Sequence, residues 1–158
     1  SCDDVYCGEP LVRLGTGGAE FVSLADGADV DVYLGPQGGY HVFLSAEMER
    51  LCPIVFLQTT VDVYVDGQRH TIFDQTRHVQ AVRPTPNLSS AQQYWGIQAV
   101  VPCNLYPDDP DHDVPCGTFR SRLGHIEDFE MTVTLRAEDH DGRASTEIKT
   151  LQPVCCEE

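Results

Sequence analysis

Long apolar stretches are missing from this chain of 158 residues. The longest, such as Pro53 to Leu57 and Ala99 to Pro102, fall far short of the roughly 18 residues that a membrane-crossing helix needs. Basic residues are scarce as well: 10 lysines and arginines stand against 25 acidic residues, a formal charge of −15. Such a surface repels a phosphate backbone instead of releasing its counterions, which argues against nucleic acid and anionic membranes as partners. Complete catalytic signatures are lacking too. There is no G-x-S-x-G nucleophile elbow, and Gly15-Thr16-Gly17-Gly18 lacks the lysine and following helix of a phosphate-binding loop. The histidines, His41, His70, His78, His112, His125 and His140, show no H-x-H or H-E-x-x-H spacing, although His70 and His78 would face each other if they lay across one hairpin. No segment sustains a 3.6-residue period, and no internal repeat or low-complexity linker interrupts the chain. The expectation is a protein that is not an enzyme and has no certain cofactor.

What is present is an ordinary globular composition, 41% hydrophobic and 22% charged, in a length that suits one domain over residues 1–158. Strand-type alternation recurs along it. Val30, Val32 and Leu34 alternate with Asp29, Asp31 and Tyr33, the pattern of a half-buried strand, and Phe21 to Leu24 precedes it. Gly35 to Gly39 reads as a turn and Tyr40 to Ala46 as the next strand, with one helical turn expected over Glu47 to Leu51. Ile54 to Thr60 and Val61 to Val65 lead into Asp66-Gly67, a dipeptide suited to the positive backbone angles of a tight hairpin. Arg69 to Phe73, Thr76 to Val82 and Tyr94 to Val101 follow, then Phe129 to Leu135, a turn at Asp139 to Gly142, and a return through Arg143 to Leu151. Nine or ten short strands with turn signals roughly every 8 to 12 residues predict an all-β, antiparallel sandwich. Residues 1–19 are left as an N-terminal arm, and 103–117 as a long acidic loop bounded by cysteines.

Seven cysteines, Cys2, Cys7, Cys52, Cys103, Cys116, Cys155 and Cys156, are too many for a reducing cytosol unless they bind metal. Paired zinc-type steps are lacking, so disulfides and export are expected, with Cys7, Cys52, Cys103, Cys116, Cys155 and Cys156 forming loop staples. Cys103 with Cys116 would close a short loop, and Cys7 with Cys155 or Cys156 would tie the termini together. Two positions would account for the odd cysteine: Cys2, which stands behind a small residue as the acylated cysteine of a bacterial lipoprotein does, or the adjacent pair Cys155 and Cys156, which join each other only through a strained ring.

Three clusters are candidate binding sites. Asp108, Asp109, Asp111 and Asp113, with His112, place four carboxylates in six residues, and Asp109, Asp111 and Asp113 mimic the first ligands of an EF-hand loop. Val114 then stands where that loop needs glycine and Arg120 where it needs glutamate, so a solvated acidic loop competes with a calcium site. Glu138, Asp139 and Asp141 form a second acidic group, for which the Asp141-Gly142 turn is sufficient reason. Tyr94 and Trp95, with Tyr40, Tyr64 and Tyr106, could form a platform for sugar rings. A lone tryptophan in a sandwich is more often packed between its sheets.

The stretch from Phe129 to Pro153, with Met131 to Ala137, Asp139 to Arg143 and Thr146 to Thr150, resembles the final hairpin of immunoglobulin-like modules in bacterial surface proteins. Leu34 to Val42 is similar to a segment of uncharacterised exported proteins and lipoproteins of myxobacteria and their relatives. The resemblance implies a sandwich fold and bacterial export, outside the cell, in the periplasm or at the outer membrane, and implies no catalytic residue. The functional expectation is a binding or structural module, an accessory subunit of a cell-surface assembly. Its partner would be a protein, with a basic one suited to the charge, or a second copy; a calcium- or carbohydrate-binding module is the alternative.

Overall fold

The computed structural model describes residues 8–34, 40–83, 91–101 and 129–155. Nine strands and no helix are found among them: β1 (Leu11–Thr16), β2 (Val22–Ser23), β3 (Asp29–Leu34), β4 (Tyr40–Glu49), β5 (Ile54–Val65), β6 (Gln68–Gln80), β7 (Gln92–Val101), β8 (Met131–Asp139) and β9 (Ala144–Cys155). The chain is all-β. Alternation dictates the strands: β8 reads buried and half-exposed by turns from Met131 to Asp139, and β5 buries every odd position from Val55 to Val65.

One layer carries β9-β8-β5-β6, and the other carries β1, β4 and β7, with β3 joining β4 to β9. Inner positions of both layers belong to one hydrophobic cluster that includes Leu14, Leu44, Ile97, Leu57, Val133 and Leu135. Neither layer could shed its apolar face to water, so the two pack on each other. The pairing is antiparallel except at one place. β9 pairs antiparallel with β8 as far as Leu151, then runs parallel to β3 from Gln152, with Gln152 N–H donating to Ala28 O at 2.9 Å. The expected all-antiparallel pattern is corrected here. Pro153 marks the switch, since a residue that donates nothing to a ladder is tolerated where β9 has left β8.

The Asp66-Gly67 hairpin is as expected, with φ of 51° and 79° at its two central residues. Two other expectations are overturned. β4 continues as strand through Glu47, Met48 and Glu49, where a helical turn was expected, because β1 lies on one side of it and β7 on the other. Five residues cannot nucleate a helix against two ladders. The segment expected to be an arm contains β1, whose Val12 and Leu14 are buried in the core.

β1 also meets β9 through side chains. Ser145, Glu147 and Lys149 alternate along β9 and point toward β1: Val12 N–H donates to Ser145 Oγ at 3.1 Å, Leu14 N–H to the Glu147 carboxylate, and Lys149 Nζ to the carbonyls of Leu14 and Leu24. Glu147 and Lys149 pair at 3.3 Å, each mostly shielded from water. Side chains thus do the work of a missing ladder. Glu147→Ala should cost about 1 to 3 kcal/mol, the usual loss when a shielded amide and an ammonium lose their acceptor. Urea unfolding of the variant checks this, and an unchanged midpoint would refute the role given to Glu147.

Candidate functional site

The outer face of the β9-β8-β5-β6 layer is set by register. Phe56 lies opposite His78 on β6 and Glu138 on β8; Gln58 lies between Thr76 and Arg136, Thr60 between Asp74 and Thr134, and Asp62 between Thr71 and Thr132. The face is largely polar. Thr71 Oγ1 donates to Asp62 Oδ1 at 2.6 Å, Gln58 and Thr60 both donate to Asp74 Oδ1, and Arg136 pairs with Glu138 at 2.5 Å. Apolar groups are nonetheless exposed at its margins: Phe56 at 48%, stacked on the His78 ring at a centroid distance of 4.5 Å, with Ile54 beside it, Tyr64 at the far end and Ile148 on β9.

β6 is the boundary strand of this layer. It pairs with β5 on one side, and among the described residues no strand pairs with its other side from Gln68 to Gln80. Only Val79 of its thirteen residues is fully buried. Ile72 is the extra residue of a bulge, since Val61 pairs with Phe73 and Asp62 with Thr71. In a chain of charge −15 this strand carries Arg69 and Arg77 against Asp74 alone, together with His70 and His78. A row of unpaired amides and carbonyls is a template for another extended chain, and mixed charge with a bulge limits indiscriminate pairing. His70 and His78 occupy the same strand, and the bulge puts them on opposite faces, opposite Val63 and Phe56 respectively. They cannot share a metal.

Tyr94 and Trp95 lie on β7 at a bulge. Leu44 pairs with Ile97 and Ala46 with Tyr94, so Trp95 and Gly96 together oppose Ser45 alone. Gly96 takes φ of 80° and donates its N–H to Gly17 O at 3.3 Å. Tyr94 packs against the core, and Trp95 is half-buried, not enclosed between the layers as a lone sandwich tryptophan was expected to be. Tyr40 is wholly buried and Tyr64 lies on the other layer, so these aromatics do not form one platform.

The acidic group at the β8–β9 turn is largely structural. Asp139 is 2% exposed, and its carboxylate accepts the backbone N–H groups of Cys52, Asp141 and Arg143, each at 3.0 Å. This extends an Asx-type turn to a second chain segment. Glu138 belongs to the ion pair with Arg136. Cys52, His140 and Asp141 place possible ligand atoms within 4.8 Å of one another. Cys52 is disulfide-bonded, however, and a sulfur in that state offers no thiolate to a cation. The other expected sites, Asp108, Asp109, Asp111 and Asp113, the cysteines Cys2, Cys7, Cys103, Cys116 and Cys156, and Tyr106, lie outside the described residues. Cys155 ends β9, and its side chain is also outside them.

The β6 boundary escaped the sequence reading because alternation marks a strand without saying what stands beside it. The weak burial pattern of β6 has a trace in its composition, where polar residues occupy both faces.

No protein-family model and no curated protein matches this chain. Among solved structures, it is similar to murine CRIg at 10% identity, with 95% of this chain and 100% of that chain covered and a TM-score of 0.36. A likeness at that level carries no argument about fold or function.

Proposed function

We propose that this chain is a non-enzymatic exported binding or structural module, an accessory subunit of a bacterial cell-surface or envelope assembly, built as an immunoglobulin-like sandwich with disulfide-stapled loops. The observation that carries the reading is β6, thirteen residues long and without a second neighbouring strand among the described residues. Its position next to exposed Phe56 and Ile54 gives a partner both backbone groups and apolar contacts. The strand orders support the immunoglobulin-like part: β9-β8-β5-β6 follows the G-F-C-C′ order, and β1-β4-β7 the A-B-E order, of variable-type domains. β4 and β8 carry no cysteine where antibody domains join those strands, which leaves any staples to loops and termini.

A photo-crosslinking amino acid at Thr76 of β6, in the cells that make the protein, tests the reading. The expected result is a protein adduct from Thr76 and none from Gly27, an exposed turn position with open space around it. No adduct from Thr76, or equal adducts from both sites, would refute the proposed contact strand. The same protein warmed with millimolar calcium should melt where it melts without it. A rise abolished in an Asp109/Asp111/Asp113 alanine variant would instead favour the calcium-binding module.

A further inference from the structure

The backbone bonds just past the end of β6 fix which of its groups face outward. Ala81 N–H donates to Pro53 O at 2.7 Å, and these two residues continue the register that sets Gln80 opposite Ile54. Mutual bonding in an antiparallel ladder recurs at every second residue. Val79, Arg77, Gln75 and Phe73 therefore turn their N–H and C=O groups toward β5, and Gln80, His78, Thr76 and Asp74 turn theirs away from it. Val82 agrees with this phase, since its N–H and C=O both bond to Gln93 of β7 on the outward side. Past that rung β7 pairs with β4 in the other layer, and among the described residues no strand pairs with the outward groups from Gln80 to Asp74. The side chains of those four residues are all exposed.

Two identical strands related by a two-fold axis pair antiparallel with one residue opposite itself, and outward groups must meet outward groups. The choice of central residue sets the charges. Centring on Asp74 brings two carboxylates together, and centring on Arg77 brings two guanidinium groups together. Centring on His78 sets Asp74 against Val82, whose backbone is already bonded to Gln93. Centring on Gln75 sets Asp74 against Thr76 and Arg77 against Phe73, so no charge is answered. Centring on Thr76 sets Asp74 opposite His78 and Arg77 opposite Gln75, each twice by symmetry, with threonine opposite threonine in the middle. These are favourable cross-strand pairs. The side chains are placed for them: Gln58 and Thr60 both donate to Oδ1 of Asp74 and leave its Oδ2 to a neighbour, and the His78 ring is held by its stack on Phe56.

We infer that the partner of β6 is a second copy of this chain, joined β6 to β6 about a two-fold axis at Thr76, so that two β9-β8-β5-β6 layers become one continuous sheet. The inference rests on the reading of β6 as the contact strand and names what it contacts. Asp74 with His78, Thr76 with Thr76 and His78 with Asp74 form the bonded rungs, each exchanging both N–H···O bonds. The bulge at Ile72 ends the ladder on either side, because it bends each strand where that strand would otherwise run into Gln93 of the other copy. β6 meets its copy with Arg69 and Arg77 against Asp74, a small positive excess in a chain whose charge is −15. The overall charge still opposes association at long range, so salt that shortens the reach of this repulsion strengthens the pair.

Sedimentation equilibrium of the purified full chain is the test. A reversible equilibrium between monomer and dimer is expected, tighter at about 0.15 M than at about 0.01 M salt. Asp74→His alone or His78→Asp alone sets like groups opposite each other at both ends of the ladder, and each should weaken the dimer about tenfold or more. The double variant Asp74→His with His78→Asp restores unlike pairs and should recover the affinity, which a merely structural role for either residue does not predict. A chain that stays monomeric at about 1 mM, or a double variant that dimerises no better than the single ones, would overturn the inference. A monomeric chain that still gives an adduct with a different protein from Thr76 in cells would leave the contact-strand reading standing and remove the self-pairing alone. A monomeric chain with no such adduct would remove both.

Discussion

Replacing Asp139 by alanine should lower the unfolding free energy by about 3 to 5 kcal/mol, the largest loss expected from any single polar side chain here. The carboxylate accepts three backbone N–H groups, and the variant leaves all three without it. The Cys52 amide is the costliest, because it is buried where water cannot replace the lost acceptor. Those of Asp141 and Arg143 lie in a partly exposed turn and recover part of their loss from solvent. Asp139→Asn should fall between wild type and alanine. Its single carbonyl oxygen can serve one side of the site, and its amide then presents a donor to a donor. Urea denaturation measures both, with an unchanged slope showing that the folded and unfolded ensembles are otherwise alike. A loss under about 1 kcal/mol for alanine would mean that the turn holds without this carboxylate, and the role assigned to Asp139 would fail.

Leu14→Ala should cost about 2 to 5 kcal/mol, the range for deleting a buried leucine side chain and leaving part of its volume empty. Leu14 is fully buried in β1, within the cluster shared by both layers. An N-terminal arm would tolerate the same change with little effect, so the variant separates the two descriptions of residues 11–16 directly. Ile148→Ala is the control. That residue is 62% exposed on the outer face, and its truncation should change stability by no more than about 0.5 kcal/mol. Equal midpoints for the two variants would place Leu14 outside the core. The backbone of Leu14 adds to the expected loss, because Glu147 and Lys149 reach it from β9 and any shift of β1 disturbs those bonds.

Strand periodicity was legible wherever a run was long enough to repeat. Val30, Val32 and Leu34 announced β3, Asp66-Gly67 announced the β5–β6 hairpin, and Met131, Val133 and Leu135 announced β8. β1 was missed because it repeats too little: Val12 and Leu14 flank Arg13, and then Gly15 ends the pattern. The β4 extension was misread because Glu47, Met48 and Glu49 alternate correctly for a strand but have the propensities of helix formers, and local propensity yields to ladders on both sides. The half-buried state of Trp95 depends on the extra residue at the β7 bulge, which no periodicity count contains.

By itself the amino-acid sequence determined that the chain is all-β, because alternating side chains with period two leave a strand one apolar face. It also placed two turns of positive φ, at Asp66-Gly67 and Asp141-Gly142, because Asp-Gly pairs accept those angles at little cost. Only the tertiary structure decided which strands are neighbours: that β9 leaves β8 for β3, that β6 closes one layer, and that Asp139 reaches the amide of Cys52 eighty-seven positions away. Burial on one face is a local property of a strand. The choice of neighbour is a property of the whole chain, since a strand's backbone groups pair equally well with any partner that its layer and the loops can bring alongside.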